Sequence, residues 1–149
     1  MCFWKSSSPD EKLSPSDIMH PDGILHMSET NEVVIRLEKL NIGLKKPPKV
    51  FIPGIPDTGS MDPVFDAEHN NILIAGADDD DHYRLICFIK PGDIIVYELP
   101  GVCIIHRVVK IEQDGKGRKF ICKGDNNPRN DSHEIRDENV KWLSIGTIY

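Results

Sequence analysis

The chain has 149 residues, 39% of them apolar and 28% charged, with a formal net charge of −6. That length fits one domain, able to bury roughly 68–70% of the surface its unfolded chain exposes, and the negative balance argues against a nucleic-acid partner, because neutralising phosphates takes clustered Lys and Arg. No apolar run approaches the roughly 20 residues of a membrane helix, and "MCFWKSSSPDEKLSPSD" lacks the apolar stretch and small-residue cleavage site of a secretory signal.

In chain order, residues 1–28 are polar and rich in Ser, Pro and Asp, and read as a flexible N-terminal arm. "SETNEVVIRLEKLNIG" places Val33, Val34, Leu37 and Leu40 at helical spacing, with Ser28 or Thr30 to cap the start and Gly43 the end. A short helix is expected there, although Val33, Ile35 and Leu37 also alternate as in a strand. "KKPP" breaks regular structure. From Lys49 onward the runs are strand-like: "KVFIP", "NNILIAG", "YRLICFI", "DIIVYEL", "VCIIHRVVKIEQ", "KFICKG" and "WLSIGTIY", punctuated by "KPGD", "PG" and "DGKGR" as turns. The expected fold is mainly β, antiparallel and partly barrel-like, forming a single domain over residues 29–149. The basic stretch Lys116-Gly117-Arg118-Lys119 reads as a solvated hairpin tip, and Asp78 to Asp81 as a solvated loop tip, since a calcium site needs further oxygen donors at spaced positions.

Cys2, Cys87, Cys103 and Cys122 form no CxxC pair, and no His stands at zinc-finger spacing, so neither metal nor cofactor is implied. Cys87, Cys103 and Cys122 lie inside apolar runs and read as reduced core thiols. With the absence of a membrane-length run, they point to a soluble, cytoplasmic protein.

The chemistry centres on "PDTGSMDP", Pro56 to Pro63. As Asp57-Thr58-Gly59 it has the form of an aspartic-protease loop. A single such loop would need a homodimer so that two carboxylates share one proton, and "IIHRVV" and "KGDNN" would be left without a role. As Gly59-Ser60 it offers a serine nucleophile, which needs a base within hydrogen-bond reach and donors for the oxyanion. His106 in "IIHRVV" is a polar side chain inside a β run, and Asp125 and Asp131 in "KGDNNPRND" follow the returning strand of a hairpin. Serine, histidine and aspartate from adjoining β elements make the three-member relay of serine hydrolases. Each also has an ordinary structural reading, as turn residue, core histidine or turn acid.

The ordered set "GSMDP", "KPGDIIVY", "IIHRVV" and "KGDNNPRND" resembles the signal peptidase I family over about residues 49–149, in its archaeal and endoplasmic-reticulum branch, where a histidine replaces the bacterial lysine base. The resemblance implies Ser60 as nucleophile, His106 as general base and Asp131 as triad acid. Asp125 opens the Gly-Asp-Asn-Asn loop and is a second candidate acid. Thr58 and the Ser60 backbone N–H would serve the oxyanion hole. Met61 and Pro63 match the residues that shape the nucleophile loop and are assigned to substrate binding, and Gly92-Asp93 match the family's Gly-Asp turn that leads into a core strand. The implied fold is the β structure shared with the SOS-repressor proteases, and the implied partner is a protein or peptide bound as an extended strand, with small residues before the cut. The chain departs from the family in lacking transmembrane helices and in carrying an insertion, about residues 64–90, after the Ser-Met-x-Pro loop. The alternative is a catalytically inactive peptide-binding or regulatory module on the same fold. Ala75-Gly76, the only Ala-Gly bond, lies after Ser60, unlike the self-cleavage bonds of those repressors.

Overall fold

In a computed structural model, the described residues are 43–54, 56–65 and 70–148, together with the backbone of Leu25–Met27 and Val33–Ile35. The last two are strands β1 and β2, paired antiparallel. The arm expected over residues 1–28 therefore carries a strand at its end, and the described part of the expected helix, Val33–Ile35, is extended. β-branched Val33, Val34 and Ile35 follow the strand alternation rather than the helical one. The remainder of both expectations lies outside the described residues.

The main sheet has seven strands: β3 Lys49–Phe51, β4 Asn70–Ala75, β5 Ile94–Leu99, β6 Val102–Asp114, β7 Gly117–Lys123, β8 Ile135–Arg136 and β9 Val140–Ile148. Their spatial order is β3-β4-β9-β5-β6-β7-β8, all neighbours antiparallel, and the sheet stays open rather than closing into a barrel. β6 and β7 form the long hairpin that the Asp114-to-Gly117 turn signals predict, with Gly117 at a φ of 114°.

"YRLICFI" is not a strand. Asp79–Phe88 is a helix, α1, and Asp78 to Asp81 are its beginning rather than a loop tip. The Asp78 carboxylate accepts the Asp81 N–H at 3.0 Å, capping the first turn. Asp79, Asp80 and Asp81 put negative charge at the positive end of the helix dipole. Leu85, Ile86 and Ile89 recur on one side and enter the core, while Tyr83 and Phe88 stay exposed. Asp81 is itself buried, and its two oxygens accept the backbone N–H groups of Lys45 and Lys46, each at 2.9 Å. The chain leaves β4 for α1 at Gly76, where a Cβ would lie 2.0 Å from the His82 nitrogen, so only glycine fits.

Side chains alternate across the sheet. Ile95 and Tyr97 of β5 join Val108, Phe120, Cys122, Leu143 and the inner side of α1 in the main core. Ile94 packs instead with Met61 and Phe65, with Val64 and Ile105 against them, in a smaller cluster under the nucleophile loop. Cys122 is buried as expected, but Cys87 and Cys103 are exposed. Cys87 falls on the outer side of α1, and Cys103 falls in the exposed first turn-proximal residues of β6.

Candidate active site

The nucleophile loop is fixed from below and from the side. Met61, 3% exposed, anchors it in the smaller cluster, and Val64 N–H donates to Met61 O at 2.9 Å to close the turn. Gly59 takes a φ of 64°, a conformation glycine adopts without steric cost. From the side, Asn126 donates its backbone N–H to Ser60 O at 3.0 Å and its Nδ2 to Gly59 O at 2.9 Å. The two segments are 67 residues apart in the chain, yet they are joined main chain to main chain.

Above that loop, β6 presents His106, 8% exposed. His106 Nε2 lies 3.3 Å from Ser60 Oγ, and His106 Nδ1 lies 2.8 Å and 3.0 Å from the two Asp131 oxygens. An ionised carboxylate only accepts, so Nδ1 carries the proton and Nε2 offers its lone pair to the serine hydroxyl. At 3.3 Å the Ser60 contact is slightly longer than the most common hydrogen-bond distances. Burial pushes the Asp131 carboxyl up, but the bonds from His106 and Tyr97 outweigh it and hold the group below the ordinary aspartate range. Asp131 is thus a carboxylate at neutral pH, suited to stabilising a charged imidazole.

The other acid of the same loop goes elsewhere. Asp125 is held by Arg107, whose Nε and Nη2 reach its two oxygens at 2.8 Å and 2.6 Å. Arg107 Nη1 also donates to Gly92 O at 2.8 Å. Asp125 therefore braces the loop against the Gly92-Asp93 turn, and Asp131 is the carboxylate at His106. Asp93 closes that turn by accepting the Lys90 N–H at 2.9 Å, and burial pushes its carboxyl up. Thr58 Oγ1 lies 3.2 Å from Ser60 Oγ, in an exposed contact. Pro63 and Asp57 are both exposed. Met61 lies beneath the loop among apolar side chains rather than on its open surface. Among the described residues, no group of three or more His, Cys, Asp or Glu is placed to hold a metal ion.

Two further residues matter that sequence reasoning did not single out. A Cβ on Gly124 would lie 2.6 Å from Ser60 O and 2.9 Å from His106 Nε2. The close approach of the two loops thus depends on glycine at this position. Tyr97 donates its hydroxyl to Asp131 Oδ2 at 2.7 Å. Both contacts cross long stretches of chain, so no local pattern signals them.

No protein-family model matches the chain. Among curated proteins, it is 38% identical over 102 residues to the signal peptidase complex catalytic subunit SEC11 of Eremothecium gossypii, covering 61% of this chain and 53% of that protein. It is 34% identical over 89 residues to human signal peptidase complex catalytic subunit SEC11C, covering 58% of this chain and 42% of the relative. By sequence, the chain is similar to SEC11-type catalytic subunits of signal peptidase complexes. SEC11 of Candida albicans is a third such relative, 36% identical over 97 residues. The chain spans about half the length of the curated relatives it matches. Among the described residues, no helix is long and apolar enough to cross a membrane.

Proposed function

We propose that the chain is a signal-peptidase-like serine endopeptidase in which Ser60 attacks, His106 acts as general base and Asp131 supports the charged imidazole. The observation that carries this reading is the continuous relay from Asp131 through His106, at 2.8 Å, to Ser60 Oγ, at 3.3 Å. An extended peptide lies across the nucleophile loop. Ser60 Oγ bonds to the carbonyl carbon as its proton passes to His106 Nε2, and the negative charge moves onto the carbonyl oxygen. The Ser60 backbone N–H and the Thr58 hydroxyl stabilise that oxyanion. The C–N bond then breaks, with His106 returning the proton to the leaving amine. Water, deprotonated by His106, hydrolyses the acyl-serine and restores the enzyme. Small residues before the cut and a place as the catalytic subunit of a larger assembly extend the same analogy to the SEC11 relatives.

Digestion of a peptide library by wild type and by Ser60→Ala tests this reading, with thermal melts to verify that both are folded. Ser60→Ala is expected to abolish cleavage. Equal cleavage by both proteins would sink the proposal.

A further inference from the structure

Tyr97 is fully buried in the main core, between β6 and β9. A phenylalanine would fill the same space without carrying a hydroxyl out of water, and a buried hydroxyl needs a partner. The Tyr97 hydroxyl has one, Asp131 Oδ2, at 2.7 Å. Ile95 pairs with His106 across β5 and β6, and Tyr97 is two residues along the same side of β5. Its ring meets the imidazole edge-on, with centroids 6.5 Å apart. Asp131 is otherwise tied through its backbone, whose N–H donates to Cys122 O at 2.8 Å. Among the described residues, Tyr97 is the only side chain besides His106 that hydrogen-bonds the Asp131 carboxylate. Without it, ring and carboxylate could turn together.

We propose that Tyr97 is a positioning residue of the site, its hydroxyl holding the Asp131 carboxylate in the orientation that receives His106 Nδ1–H and so keeps Nε2 open to Ser60. This rests on the proposed serine-protease reading and goes beyond it by assigning the relay a fourth member, reached from the core. The groups facing Asp131 are Tyr97 from β5, His106 from β6, the Cys122 thiol from β7 and His133 from its own loop. The Cys122 thiol is pushed up to about 12 by burial, with the Asp131 charge adding to it, and the Tyr97 phenol is pushed up by burial and then by Asp131. Both stay neutral through the working pH range. Removing the Tyr97 hydroxyl therefore changes one hydrogen bond and no net charge.

The decisive measurement is the carboxyl-carbon NMR titration of Asp131 in the Ser60→Ala protein, with and without Tyr97→Phe. Losing a donor to the charged form should raise its protonation midpoint by about one pH unit. Replacing Tyr97 with a ring-fluorinated tyrosine, a stronger donor of the same shape, should move the midpoint down. In the active protein, with a fluorogenic extended peptide carrying alanine before the scissile bond, Tyr97→Phe should lower kcat by about tenfold with KM nearly unchanged. An Asp131 midpoint that stays in place in both variants, or a loss expressed in KM alone, overturns the positioning role. A wild type that cuts no faster than Ser60→Ala overturns the underlying reading instead. The titration decides on Tyr97 either way, because it requires no turnover.

Discussion

His106 and Arg107 are neighbours in the chain, and their side chains leave β6 on opposite faces. Each takes one aspartate from the same loop: Asp131 at 2.8 Å from His106, and Asp125 at 2.6 Å from Arg107. Both pairs are largely buried, yet they do different things. The Arg107 pair is bidentate and adds a third bond to Gly92 O, which makes it a brace. The His106 pair joins a carboxylate to one ring nitrogen, and the far nitrogen lies 3.3 Å from the Ser60 hydroxyl. Two acids of one loop thus meet different partners through the strand face each one reaches.

The largest test of this contrast is Asp131→Asn. It keeps the shape but can donate to Nδ1 and reverse the imidazole tautomer, so kcat should fall by about 10⁴-fold with the fold intact. Peptide-cleavage kinetics beside a thermal melt would read both halves. Asp125→Asn should do the reverse. It strips a charge partner from nearly buried Arg107 and should cost about 3–5 kcal/mol of stability by denaturant unfolding, with activity per folded molecule changing only a few-fold. An Asp125→Asn protein of unchanged stability but abolished activity would merge the two roles.

Gly124→Ala probes the space between them. A methyl 2.6 Å from Ser60 O and 2.9 Å from His106 Nε2 must displace one of them, and about 100-fold lower kcat is expected. A pH dependence of stability sharpens the contrast further. The folded-state midpoint of Asp131 is depressed by His106 and Tyr97 against the opposing effect of burial. Its stabilisation is therefore present above the unfolded aspartate midpoint of about 3.9 and is lost as pH falls through the lower folded value. The stability gap between wild type and Asp131→Asn should hold at neutral pH and close in acid. The smallest effect lies away from β6. Asp78→Ala removes the α1 cap and should cost about 1 kcal/mol without touching cleavage.

Much of this arrangement was legible in the sequence. β-branched runs between Gly and Pro turns marked β3 to β7 and β9, and the hairpin turn set the long β6–β7 pairing. The α1 segment was misread because its apolar residues suit either state. The signal that decides for a helix is the acid cluster, Asp78 capping and Asp79 to Asp81 filling the first turn, a pattern that also suits a solvated loop beside a strand. β8, two residues long, is too short to carry a period. Ser60, His106 and Asp131 could be nominated from their motifs. Which acid faces which side chain could not, because that depends on the alternation of β6 and on how one loop folds across it. Nothing in the run "DIIVYEL" marks Tyr97, because the carboxylate its hydroxyl meets lies 34 residues away in the chain.

The double grip of Asn126 on Gly59 O and Ser60 O bears on how such a protein can diversify. The Ser60 loop is held by the loop after β7 as well as by Met61 and Phe65 packed beneath it. Within the length that follows, the outer side of α1, where Tyr83 and Phe88 are exposed, can change while the distance from Ser60 to His106 is preserved, whereas β4 and the inner side of α1 are tied to the sheet and the core they complete.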